Sequence, residues 1–470
     1  MDVTNFCGFS LPEDFLIGTA NSAFQSEGAC DRDGKSESVM EHFAKEYAGQ
    51  IPPRMKSTDP QKVSDADKFT AETNEEGCFF YDHFEEYIED MKKTGQNTFR
   101  MSLAWPRIIP TGVGEVNPKG IEHYNKVIDK LIACGIEPFV DLYHWDMPYC
   151  LYEQGGFENP AFPEWFEAYA KVCFENFGDR VKYWSTFNES QVAVGTGYML
   201  GGFPPFVWDL KRGTQAGHYV LLAHFRAVRL YKSMNLGGKI GAVNCILNMT
   251  PMTTSEEDVD AIRRQFDRYF NWWTEPMLRG TYPQRLIREC PKIRETLPAN
   301  YQQELDEWFV PMDFIGVNYY MTKQGSYNPN GIVKCTVADN YYAAPGQKFA
   351  SYPPGMLDIL QYISTLYPGV DIYITENGCA IPNTRKEETE LHDEERIVYI
   401  REHLRMVARA IKAGIPVKGY YYWNDADSYE ELSGYDLTFG LTWVDRESGK
   451  RVWKDSRYYF SEICKTHRIN

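Results

Sequence analysis

A chain of 470 residues, 43% hydrophobic and 24% charged, can bury a large core without disulfides or metals, which sets aside disordered and fibrous classes. Its formal net charge of −17 argues against a nucleic-acid backbone or an anionic membrane surface as partner. Eleven cysteines, odd in number and without a Cys-x-x-Cys pair, read as reduced thiols of a cytoplasmic protein and not as a disulfide framework or zinc site.

The N-terminus lacks the apolar core of a signal peptide, and no uncharged apolar run reaches membrane-spanning length. The Asn-x-Ser/Thr matches at Asn188 and Asn248 are therefore read as chance. Aromatic residues make up 15%, enough to fill a core or to offer platforms for flat apolar ligand faces.

Short apolar runs recur at 15–23, 97–105, 136–143, 181–187, 239–247, 314–320, 371–375 and 417–423. Each reads as a buried strand. Between them, 81–93, 120–134, 163–177, 216–234 and 394–413 carry apolar residues at helical spacing, the last closed by Gly414 as a C-cap. Strand and helix alternate about eight times, which predicts an α/β fold, a single-domain (β/α)8 barrel over residues 1–470. The stretches 46–69 and 326–354 are expected as loops over one mouth. A doubly wound open sheet is the competitor, but no Gly-x-Gly-x-x-Gly or P-loop follows the first strand.

Polar residues collect at the C-terminal ends of these runs: Gln25, Arg100, His144, Asn188, Glu189, Asn318, Tyr320, Glu376, Trp423 and Glu430. In a closed barrel those ends converge on one mouth, where catalytic groups are carried. One histidine or one tryptophan alone reads as core packing. Ten polar residues at strand ends read as a site. Glu376 stands out, because it ends the strand at 371–375 just before Asn377-Gly378, which is expected to turn the backbone away.

The segments Gln25-Ser26-Glu27-Gly28, Arg100-Met101-Ser102-Leu103-Ala104-Trp105-Pro106, Tyr143-His144-Trp145-Asp146, Thr186-Phe187-Asn188-Glu189 and Tyr373-Ile374-Thr375-Glu376-Asn377-Gly378 together resemble glycoside hydrolase family 1 over nearly the whole chain. The resemblance implies a retaining β-glycosidase with Glu189 as acid/base and Glu376 as nucleophile, Arg100 and Tyr320 attending the nucleophile, and no cofactor or metal. It further implies that Gln25, His144, Asn188, Asn318, Trp423 and Glu430 hold the sugar. The chemistry suits two carboxyl groups flanking the scissile bond. The negative charge of Glu376 is expected to raise the pKa of Glu189 and keep it protonated for the first step.

Departures from the family pattern bear on the substrate. Members acting on 6-phosphorylated sugars carry a Ser, a Lys and a Tyr where this chain has Glu430, Leu437 and Phe439. A carboxylate there repels phosphate and no cation replaces the lysine, so a neutral β-glucoside or β-galactoside is expected. Glu431 stands in place of the usual tryptophan and either points inward as a hydrogen-bond acceptor or turns to solvent. Ser190 replaces a proline, and Phe349 takes the place of the leaving-group platform. A transglycosylating enzyme and an inactive sugar-binding member are the alternatives, although both glutamates are present. The expected partner is a small β-glycoside or short oligosaccharide. Homo-oligomerisation stays open.

Overall fold

The computed structural model describes residues 8–52, 69–328, 351–381 and 391–470, together with the backbone of a short strand at Lys334–Thr336. Every apolar run expected as a strand holds one. They are β1 (Leu16–Ala20), β2 (Thr98–Ser102), β3 (Glu137–Tyr143), β4 (Tyr183–Asn188), β5 (Lys239–Cys245), β6 (Phe314–Asn318), β7 (Asp371–Asn377) and β8 (Val417–Trp423). All neighbours pair in parallel, and β8 closes on β1 through Gly419↔Leu16 to Trp423↔Ala20. The chain therefore forms a closed (β/α)8 barrel, and the open sheet is excluded.

The expected helices lie on the outside: α1 (Phe80–Thr94), α2 (Pro118–Ala133), α3 (Phe162–Phe177) and α4 (Leu210–Met234). They are followed by α5 (Pro353–Leu366) and α6 (Glu394–Lys412). Local chemistry sets their ends. Asn117 caps α2 by accepting from the Lys119 amide, with Pro118 in the first turn. Asp209 accepts from the amides of Lys211 and Arg212, which starts α4 six residues before the apolar periodicity does. Gly414 follows α6 at φ +87°, a conformation that favours glycine.

An aromatic layer fills the lower barrel. Phe139 sits among Tyr183, Phe314, Tyr373 and Tyr421 with ring centroids 5.4–6.0 Å apart. Much of the aromatic content is thus floor and core, and the barrel cannot act as a pore. Polar side chains above this floor are confined to the upper mouth.

Three expectations need correction. The first strand stops at Ala20, and Gln25 lies on a one-turn helix (Ala23–Ser26) capped by Ser22, not on a strand end. The fifth run ends as a barrel strand at Cys245, and Asn248–Pro251 joins a separate small sheet with Thr322–Ser326. Asn377 does not turn the chain: β7 runs through it, with an irregularity in register between Ile374 and Glu376. The reason is that Asn377 Nδ2 donates to Tyr319 O (2.6 Å) and the Tyr399 hydroxyl (2.9 Å), while its Oδ1 accepts from Tyr420 (2.8 Å). These bonds replace the local ones that make asparagine a turn residue. Gly378 is needed for close approach, because a Cβ there would lie 2.6 Å from Trp423 O. Most of the two long loops expected over the mouth, and Phe349 within one of them, lie outside the described residues.

Candidate active site

The strand ends deliver their polar side chains to one cavity of about 260 Å³, lined by Gln25, His144, Glu189, Tyr320, Glu376, Trp423, Glu430 and Glu431 among others. Arg100, inward from β2, is fully buried beneath it and organises the floor. Its Nη1 donates to Glu376 Oε1 at 2.7 Å and to Thr375 O at 3.2 Å, and its Nη2 donates to Asn188 Oδ1 at 2.7 Å. The hydroxyl of Tyr320 donates to Glu376 Oε2 at 2.7 Å. Both oxygens of Glu376 are therefore engaged by donors, which fixes and aims its carboxyl group.

The amide of Asn188 is oriented by its neighbours. Its Oδ1 accepts from Arg100 and from Asn318 Nδ2 (3.1 Å), so its Nδ2 faces His144 Nε2 at 3.0 Å as a donor. The hydrogen of the His144 ring then belongs on Nδ1, 3.8 Å from Asp141 Oδ2. Asn318 is fixed in the same way. Its Oδ1 accepts from the Thr375 hydroxyl at 2.7 Å, and its Nδ2 donates to Glu189 Oε1 at 2.8 Å.

Glu189 reaches the cavity by a backbone that few non-glycine residues adopt. Its φ is +49°, in the left-handed region, while its N–H still bonds Val243 O at 2.8 Å beside β5. That conformation costs about 1–2 kcal/mol and swings the side chain over the barrel mouth. Burial, and secondarily the charge of Glu376, raises the Glu189 pKa to about 8. The order of causes revises the sequence expectation, which rests on the like charge alone.

At the far end of the cavity, Glu430 Oε1 lies within 3.4 Å of three donors: Gln25 Nε2, Trp423 Nε1 and Asn424 Nδ2. Gln25 is itself tied to Tyr429 O at 2.9 Å. Trp423 stacks on His144 with centroids 5.6 Å apart and planes 19° from parallel, so its other face is left for the cavity. Glu431 is only 8% exposed and lines the cavity. It points inward, and the solvent alternative fails. Leu437 packs against the apolar cluster that includes Trp423 and Phe439, and among the described residues no lysine or arginine lines the cavity. Among the described residues no group of three His, Cys, Asp or Glu side chains is disposed to hold a metal ion.

The structure also brings in residues that strand-end reasoning misses. Asp141, mid-strand in β3, lies 2.6 Å from Arg100 Nη2 and accepts from the Ser185 hydroxyl. A signal existed: an acid inside one buried strand calls for a cation, and Arg100 lies inside the next. Cys245 and Tyr269 line the cavity close to Glu189, and nothing in their local sequence marks them.

The profile of glycosyl hydrolase family 1 matches residues 8–469. The chain belongs to glycosyl hydrolase family 1. It is an O-glycosyl hydrolase of the retaining β-glycosidase kind. Beta-glucosidase A of Thermotoga maritima is 36% identical over 461 residues, covering 98% of each chain. A 6-phospho-beta-glucosidase of Bacillus subtilis is also 36% identical, over 97% of this chain and 98% of its own. The T. maritima beta-glucosidase solved with deoxynojirimycin superimposes with a TM-score of 0.90 at 35% identity, covering 98% of this family 1 chain and all of that one. Sequence identity therefore establishes the family but does not choose between free and phosphorylated sugars. The lining of the cavity has to do that.

Proposed function

We propose that this family 1 chain is a single catalytic barrel that hydrolyses the non-reducing terminal sugar of unphosphorylated β-glycosides, β-glucosides first. The observation that carries the reading is the contrast between two glutamates on one cavity. Glu376 is gripped by Arg100 and Tyr320, whereas Glu189 is buried with its pKa raised to about 8.

The contrast assigns roles. Glu376 attacks the anomeric carbon while Glu189 passes its proton to the glycosidic oxygen, and the alcohol leaves. Esterification removes the charge of Glu376, so Glu189, now a carboxylate, is left to accept a proton from water. Attack of that water releases the sugar with its configuration retained and restores both groups. Retention needs the carboxyls about 5–5.5 Å apart. By the family resemblance, Asn188 is assigned to the 2-hydroxyl and Trp423 to the apolar face of the sugar ring.

Glu430 and Glu431 supply the selection. Both are acceptors in a cavity whose described lining residues include no lysine or arginine, which supports the receipt of neutral hydroxyls and the repulsion of a 6-phosphate. Free thiols at all nine cysteines whose side chains are described suit a cytoplasmic site of action. The test is a panel of 4-nitrophenyl β-glycosides, with NMR of the first sugar anomer released. A preference for the 6-phosphoglucoside, or first release of the α-anomer, would overturn the reading.

A further inference from the structure

The loop that carries Glu430 and Glu431 leaves the end of β8 at Asn424 and returns at Thr442, where a short hairpin begins (Thr442–Val444 with Arg451–Trp453). Its two arms are drawn together at a neck. Asp427 N donates to Thr442 O at 2.8 Å, and the Gly440 amide donates to Asp427 Oδ1 at 2.9 Å. The approach is so close that a Cβ on Gly440 would lie 2.2 Å from the Asp427 nitrogen. Inside the loop, Glu430 and Gly434 exchange two backbone hydrogen bonds of 2.7 Å.

Two buried cations hold this neck from behind. Arg396, on α6 and 1% exposed, spreads its guanidinium over three successive carbonyls. Its Nη2 donates to Thr438 O at 3.0 Å, and its Nη1 donates to Phe439 O at 3.0 Å and Gly440 O at 3.1 Å. Lys454, just before the helix Asp455–Thr466 and also 1% exposed, donates from Nζ to Asp427 Oδ1 at 2.8 Å. Its own amide donates to Leu441 O at 3.0 Å. Burial, and after it the charge of Arg396, lowers the Lys454 pKa to about 8 against the pull of Asp427 and Asp393. The ammonium therefore keeps its charge at pH 7.

The two cations differ in what they grip. Arg396 meets carbonyls of the returning arm, whereas Lys454 meets the carboxylate that joins the outgoing arm to the returning one. Without the ammonium, the Asp427 carboxylate is a buried charge that gains by turning to water, and the Gly440 amide then loses its acceptor. Glu430 is sensitive to such a change. Its Oε1 meets Gln25, Trp423 and Asn424 at 3.3–3.4 Å, long beside the 2.7 Å bonds that fix Glu376. The loop backbone therefore has a large share in placing it.

We propose that Lys454 is a positioning residue for sugar recognition: through Asp427 it holds the neck of the loop shut, and thereby holds Glu430 against the hydroxyls of the bound sugar. The proposal rests on the glycosidase reading. It adds a determinant of selectivity from behind the cavity, which Lys454 does not line.

The test measures kcat/KM at pH 7 for 4-nitrophenyl β-glucoside and its 3-deoxy, 4-deoxy and 6-deoxy analogues on the wild type, Lys454→Met and Asp427→Asn. The wild type should favour the glucoside over an analogue that lacks a hydroxyl held by Glu430. Lys454→Met should cut that preference by about tenfold or more. A ratio between two substrates does not depend on how much of the protein is folded, so a variant that is only destabilised keeps it. Asp427→Asn should reduce the same ratio, and it carries the test should Lys454→Met yield no folded protein. Preferences unchanged in the variants, or absent from the wild type, would overturn the proposal. Should no glucoside be cleaved, the glycosidase reading fails on its own, and hydrogen exchange decides about the loop. Faster exchange of the Glu430 and Gly434 amides in the variants, with the amides of β3 unchanged, supports the clamp, and unchanged exchange in the loop overturns it.

Discussion

Asp141 and Arg100 form an ion pair at 2.6 Å in a place fully closed to solvent, so the guanidinium that holds Glu376 serves two acids at once. Burial disfavours the charge on Arg100, but Asp141 and Glu376 outweigh that and push its pKa further up. Losing the arginine would strand two buried carboxylates, and losing Asp141 would leave Arg100 still paired with Glu376. Arg100→Met is therefore expected to destabilise the fold by about 3–5 kcal/mol. Asp141→Asn should cost about 1–3 kcal/mol. Urea unfolding of the two variants checks the order; equal losses would mean that Asp141 and Glu376 do not share the guanidinium.

The raised pKa of Glu189 sets a pH dependence with a definite sign. Glu189 must be protonated to act first as an acid, so kcat/KM should fall as pH rises through about 8. Stability follows the same group. Because the folded pKa lies above that of a free carboxyl, the linked stability is complete below the free value of 4.5 and is lost as pH rises through about 8. Glu189→Gln lacks this dependence, and its melting temperature should gain on the wild type between pH 5 and pH 8. Parallel melting curves at the two pH values would show that Glu189 titrates normally.

Glu376→Gln separates the two causes of that shift. Burial is the larger and survives the substitution, while the like charge does not. The Glu189 carboxyl, followed by carbon NMR with labelled glutamate, should titrate below about 8 but still above an ordinary glutamate. A fall all the way to the ordinary value would put the whole effect on the charge.

Removing the nucleophile while keeping the acid gives a chemical signature. Glu376→Gly should lose about 1,000-fold or more in kcat on aryl glucosides. Azide, small enough to occupy the vacated space, should restore turnover and yield the α-glycosyl azide, since a single displacement inverts the anomeric carbon. A β-azide product would assign the nucleophile to another residue.

Glu431 stands where the resemblance to the family leads one to expect a tryptophan. Lining the cavity beside Glu430, it can only accept hydrogen bonds when ionised. Glu431→Trp replaces an acceptor by a donor and should change kcat/KM by about 10–100-fold, unequally among glucoside, galactoside and fucoside. An identical profile across that panel would mean that Glu431 does not touch the sugar.

Strand and helix order, the barrel and the two glutamates that meet on one cavity were legible because they rest on local pattern. Short apolar runs and helical spacing mark β1 to β8 and their helices, and acids at or just past the ends of β4 and β7 stand out against those runs. Asn377 shows where local pattern fails. Asn-Gly favours a turn in isolation, yet three hydrogen bonds to Tyr319, Tyr399 and Tyr420 hold it extended in β7. Those partners come from elements remote in the chain, and no window around Asn377 contains them.

The sequence by itself determined the architecture, because apolar runs and helical spacing are properties of neighbours along the chain, and it gave the chemical class through its resemblance to family 1. Only the tertiary structure decided that Glu431 faces the cavity it shares with Glu189 and Glu376, that burial does most to raise the pKa of Glu189, and that Arg100 is shared between Asp141 and Glu376. Each depends on desolvation or on a partner far away in sequence, and both exist only once the barrel has closed.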